Sequence, residues 1–154
     1  MKKLFILTGI ISASFFNAQS YSAINDLLQK IEAKHAKMID ASGYTVNNKK
    51  FVLIEDFDDH SERHILEFNA DNTLTLIELI DDKETGKSYS NIFTGDFVRK
   101  RNAISVRADL LEGKKIVRPL VYNLYIMKAN DIWYLTDINS KKRWIENNNI
   151  IKKK

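Results

Sequence analysis

Residues 104–110, ISVRADL, place Ile104, Val106, Ala108 and Leu110 on one side of an extended chain and Ser105, Arg107 and Asp109 on the other. Strict alternation of this kind marks a strand with one buried and one wet face. Glu112-Gly113-Lys114 ends the run as a turn, and residues 117–128 read as the next strand. Pro119 lacks the N–H that a ladder needs, which predicts an edge strand or an irregular beginning there. Working forward, Ala129-Asn130-Asp131 turns the chain into a strand at 132–136, and a short strand is expected at 143–146. Working backward, the basic turn Lys100-Arg101-Asn102 follows a strand at 89–99, and residues 81–87, with Gly86, form the turn before it. A hairpin precedes that turn: residues 64–68, the turn Asn69-Ala70-Asp71-Asn72, and residues 73–80. Phe51 to Ile54 is the first apolar run.

One helix is expected, over residues 22–41. Ile24, Leu27, Leu28, Ile31 and Met38 recur at helical spacing, Ser22 caps the start and Gly43 lies just past the end. His35 falls beside its apolar face and reads as a boundary side chain. The fold class is therefore α+β: one N-terminal helix packed on a curved antiparallel β-meander of seven or eight strands, as an open sheet or a barrel. A parallel sheet would need crossover helices, and the sequence provides no pattern for them.

The first 20 residues are expected to be a signal peptide. Lys2 and Lys3 are followed by an uncharged run from Leu4 to Phe16 and then by small and polar residues up to Ser20. A run of about 13 residues falls short of the roughly 20 that span a bilayer. Residues 21–154 then form a single domain, with a frayed tail from about 148, in a periplasmic or secreted protein that has no stable membrane anchor. There is no cysteine, which removes disulfides, thiol nucleophiles and a lipid-modified cysteine. The chain has 24 Lys+Arg against 20 Asp+Glu, and Lys2 and Lys3 supply half of the net +4. A nearly neutral remainder argues against nucleic acid as a partner.

The densest polar segment is residues 56–64, DFDDHSERH. His60 and His64 have metal-pair spacing for a helix, but on a strand four residues span about 13 Å. Asp56, Asp58, His60 and Glu67 imitate the ligand positions of a calcium loop, with His60 and Ser61 where Asp or Asn and then Gly belong. No metal or cofactor is expected from these patterns. The scattered glycines form neither a phosphate loop nor a Gly-x-Ser-x-Gly frame, so no enzyme is expected either.

Aromatic residues gather in the last third. Leu120, Tyr122, Leu124 and Ile126 share one face of their strand, and Val121, Asn123, Tyr125 and Met127 the other. A strand apolar on both faces lies under a covering element or presents one face to a ligand. Tyr122, Leu124, Trp133 and Tyr134 are thus candidate ligand-binding residues for a small apolar ligand between sheet and helix. Arg107 is the favoured charged contact, with Arg99 and Arg118 as others. The alternative is an envelope protein-interaction module, an inhibitor or immunity-type protein, using an exposed sheet face or the acidic stretch from Asp56 to Glu62. A monomer is expected in either case.

Two passages, Ile65 to Leu76 and Tyr122 to Leu135, resemble small secreted bacterial lipocalin-like domains, and at the level of pattern the resemblance covers residues 44–147. It implies a β-barrel with a non-catalytic binding role. The Gly-x-Trp opening of a typical lipocalin barrel is absent, and the helix precedes the strands.

Overall fold

The computed structural model describes residues 21–31 and 40–150. The expected signal peptide, His35, most of the second half of the expected helix and the last four residues lie outside them. Helix α1 covers residues 21–31. Eight strands follow: β1 (Lys49–Asp56), β2 (His60–Phe68), β3 (Thr73–Asp82), β4 (Ser88–Lys100), β5 (Ala103–Leu111), β6 (Lys114–Ala129), β7 (Ile132–Asp137) and β8 (Arg143–Glu146). A single turn of helix, α2 (Asn147–Ile150), lies against β1 and β8. Residues 40 and 41, expected in the first helix, are not helical.

Each strand pairs antiparallel with the next, and β8 pairs with β1, which closes the barrel. The closing seam is short, joining Phe51 to Glu146 and Val52 to Ile145. Closure leaves no edge strand, so Pro119 takes the irregular option. The β5–β6 register runs from Ala108 opposite Leu120 to Leu110 opposite Lys115, and Pro119 lies in the unpaired stretch between.

The register assigns every side chain a side. Phe51, Leu66, Phe68, Leu74, Leu76, Phe97, Ile104, Val106, Leu124, Ile126, Leu135 and Trp144 point inward and are buried. Phe68 meets Phe51 and Phe97 edge-on, with centroids 5.7 and 4.9 Å apart. An eight-stranded barrel is just wide enough to be filled by its own side chains or to hold one small ligand, and these residues fill its lower half. Lys50, Arg63, Glu67, Asp96 and Arg107 take outward positions. Ile92, Val98 and Val121 are exposed on the same face, which is therefore mixed in polarity. No helix among the described residues is long and apolar enough to cross a membrane.

α1 packs on the outer face. The Tyr21 hydroxyl donates to the Arg143 carbonyl, the Arg143 guanidinium reaches Asn25 Oδ1 at 3.5 Å, and Leu28 is fully buried. Residues 40–48 instead cross one end of the barrel and close it. Arg99 donates to the carbonyls of Ala41 (2.6 Å) and Tyr44, and Val46 is fully buried. Tyr44 stacks on Trp133 at 3.9 Å, with the Lys49 ammonium 3.9 Å above its ring.

Candidate functional site

The end away from residues 40–48 is polar. It is bounded by the β1–β2, β3–β4, β5–β6 and β7–β8 turns. On β2 the inward positions read His60, Glu62, His64, Leu66, Phe68, passing from polar to apolar toward the closed end. On β3 the same face reads Leu74, Leu76, Glu78, Ile80, Asp82. Asp59, His60, Glu62, Ile80, Asp82, Glu84 and Tyr89 line a cleft of about 380 Å³ at this mouth.

Glu62 stands at its centre. His64 Nε2 lies 2.9 Å from Glu62 Oε2, and His60 Nε2 lies 3.3 Å from Glu62 Oε1. His60 Nδ1 contacts Asp59 Oδ1 at 2.6 Å, and the His60 ring stacks on Phe57 at 4.5 Å. The hydrogen bond to Asp59 raises the His60 pKa above its ordinary 6.5, with Glu62 acting in the same direction. The bond to His64 is the largest influence holding Glu62 below 4.5.

Deeper in the mouth the carboxylates outnumber the cations. Glu55 lies directly across the β1–β2 ladder from Glu62, and like charges in that position destabilise a sheet. Lys142 Nζ offsets this at 2.5 Å from Glu55 Oε2. Glu78 is opposite His64 on one side and Asn91 on the other. Asp137, 5% exposed, accepts from the Ser140 amide and hydroxyl through Oδ2, while Oδ1 is buried without a partner. The Tyr122 hydroxyl registers the excess: burial first, then Glu78, Asp137, Glu55 and Glu62, push its pKa up to about 12. The Tyr122 ring meets that of Trp144 at 5.4 Å, and the Trp144 indole nitrogen is also buried without a partner.

The residues singled out by the sequence pattern do not form one pocket. Tyr122 and Leu124 face the interior, with Leu124 in the filled half. Trp133 stacks on Tyr44 at the closed end. Tyr134 pairs with Ile145 and Met127 on the outer face, where it is buried. Arg107 pairs with Asp96 and Val121 on the outside and is exposed. Arg99 serves the closed end. His60 and His64 do share a face, and Glu62 stands between them. The stretch from Asp56 to Glu62 is only partly a turn, because β2 begins at His60.

Glu55, Glu78, Asp137 and Lys142 were not legible as site residues. Their signal is a matter of parity: Glu78 follows Leu74 and Leu76 at the two-residue spacing of a core face. A charged side chain at a core position marks a place where another requirement overrides packing. Compared with known proteins, the chain matches no family model, no curated protein and no solved structure.

Proposed function

We propose that this chain is an exported, non-catalytic binding protein that takes a small, positively charged ligand into the open end of its barrel. One observation carries the reading: Glu55 and Glu62 face each other across the β1–β2 ladder, Glu78 lies opposite His64 and Asp137 is buried with Oδ1 unpartnered, while Lys142 is paired with Glu55. Carboxylates gathered in a concave, partly desolvated site raise the local concentration of cations. Of the four, Glu62 lines the cleft of about 380 Å³, a volume that suits a small molecule. The up-and-down order of the closed eight-stranded barrel supports a lipocalin-like reading. The filled lower half shifts the expected ligand from apolar to cationic.

Thermal unfolding in dilute buffer tests this. Spermidine or agmatine is expected to raise the melting temperature, Glu62→Gln to abolish the rise, and a fatty acid to have no effect. A response to the fatty acid alone would overturn the cationic reading. Export is tested by the mass of the protein recovered from the periplasm, expected to begin near Tyr21. Intact chain confined to the cytoplasm would overturn it.

A further inference from the structure

We infer that Glu55, Glu62 and His64 form a divalent transition-metal site in the wall of the mouth, with Glu78 placed behind the imidazole. The inference rests on the reading of the mouth as the binding site and names the cation it takes.

The β1–β2 register creates the site. Glu55 lies across the ladder from Glu62, and His64 is two residues further along β2 on the same face. One ligand atom from each of the three lies within 4.8 Å of the others. Ligands about 2.1 Å from a tetrahedral metal stand roughly 3.4 Å apart. The Glu62–His64 contact, at 2.9 Å, is already inside that span. Glu55 supplies the remaining adjustment, and its side chain, 23% exposed, has room to move. Two carboxylates and one imidazole suit zinc and its first-row neighbours, leaving positions open for water or a second ligand.

A second observation is the far side of the imidazole. His64 Nδ1 is buried without a hydrogen-bond partner, and Glu78 Oε1 lies 3.9 Å from it. A neutral imidazole has one N–H. Lying between Glu62 and Glu78, the neutral ring turns a lone pair toward one of the two carboxylates, a conflict that a second proton or a metal relieves. A metal on Nε2 removes the conflict: the Nε2 lone pair meets the cation, and Nδ1–H faces Glu78. A carboxylate behind a ligating histidine is a recurrent outer-shell arrangement at metal sites. Asp137, 5% exposed and with Oδ1 unpartnered, adds negative charge acting on the same Tyr122 hydroxyl as Glu55 and Glu62.

Lys142 is the internal competitor. Its ammonium, 2.5 Å from Glu55 Oε2, must yield when Glu55 turns to a metal, and its side chain is 40% exposed.

The test is titration of the purified, chelator-stripped protein with Zn²⁺ alone, followed by calorimetry. One equivalent is expected to bind. Glu55→Gln and His64→Gln should each weaken binding by about 100-fold or more, and Glu78→Gln by roughly 10- to 100-fold. Lys142→Met should tighten it, and Glu67→Gln, a carboxylate on the outer face, should leave it unchanged. Circular dichroism and the melting temperature establish that each variant is folded; should His64→Gln fail to fold, Glu55→Gln and Lys142→Met still decide the matter. Absence of binding, binding equal in the wild type and Glu55→Gln, or binding lost in Glu67→Gln would overturn the site. A spermidine-induced rise in melting temperature in metal-free buffer, without Zn²⁺ binding, overturns the metal site and leaves the cationic-ligand reading standing. If neither cation binds, both fail.

Discussion

At the scale of single residues, Gly95 has a steric reason to be glycine. A Cβ there would stand 1.9 Å from the Arg107 carbonyl oxygen and 2.6 Å from Ala108 Cα, at the irregularity in the β4–β5 ladder. Both obstacles are backbone, so relief requires moving a strand. Gly95→Ala is expected to cost about 3 kcal/mol in urea unfolding, and a cost under about 0.5 kcal/mol would contradict this account. His60 offers a residue-level pH prediction. Its folded pKa is raised, so its contribution to stability is fully present below 6.5 and is lost as pH rises through the higher folded value. Asp59 and Glu62 are lowered from 3.8 and 4.5, so their contributions are lost as pH falls through still lower values. The hairpin at the mouth is thus best held between about 4.5 and 6.5. NMR titration of the His60 ring should show a midpoint above 6.5 that moves down in Asp59→Asn. A midpoint indifferent to that substitution would count against the Asp59 contact.

At the scale of elements, the segment 40–48 carries no regular structure of its own, yet it closes the barrel. Four of its backbone polar groups are satisfied from outside the segment: Arg99 donates to two carbonyls, Asn102 Oδ1 accepts from the Ala41 amide at 3.1 Å, and the Phe68 carbonyl accepts from the Asn48 amide at 2.7 Å. Hydrogen bonds from a charged donor contribute more than neutral ones. Arg99→Met is expected to cost about 2 kcal/mol and to speed amide exchange at residues 44–46. Unchanged protection at Val46 would show that packing alone holds the segment. Isolated β8 is only four residues long, and it is held by β7, by the short seam with β1 and by the Lys49–Glu146 pair at 2.8 Å, whose carboxylate is 7% exposed. Glu146→Ala leaves the partly buried Lys49 ammonium without its carboxylate. It should destabilise the protein by about 1–3 kcal/mol, with exchange rising first in β8. A β8 that opens no sooner than β3 would refute that order.

At the scale of the whole molecule, the barrel is divided into a packed half and a charged half. Packing stabilises the first, and the second sets carboxylates against one another. Sites that bind commonly reduce stability in this way. Glu78→Gln keeps the shape and the contact with Asn91 while removing one negative charge. It should raise the melting temperature of the ligand-free protein by a few degrees, since about 1 kcal/mol moves a domain of this size by roughly 2–4 °C. A fall of similar size would mean that Glu78 is there to stabilise the fold.

The sequence by itself determined the strands and their turns. Apolar alternation and turn residues are local properties, and from Gly43 onward they marked all eight strands, although β2 begins earlier, at His60, than its apolar residues indicate. Local pattern also identified the buried face of β5. Closure was beyond it, because the β1–β8 seam joins residues nearly a hundred positions apart through very few pairs. The candidate pocket of Tyr122, Leu124, Trp133 and Tyr134 came apart for a related reason. Trp133 and Tyr134 are adjacent on a strand and must face opposite sides, and only the register says which is which. The Glu55, Glu62 and His64 cluster depends on the same register: a slip of one residue in the β1–β2 pairing would place Glu55 beside Arg63 or Ser61 instead of Glu62. Tertiary structure decided that coincidence, because it alone closed the ring of strands and brought charged side chains from β1, β2, β3 and β7 to one open end.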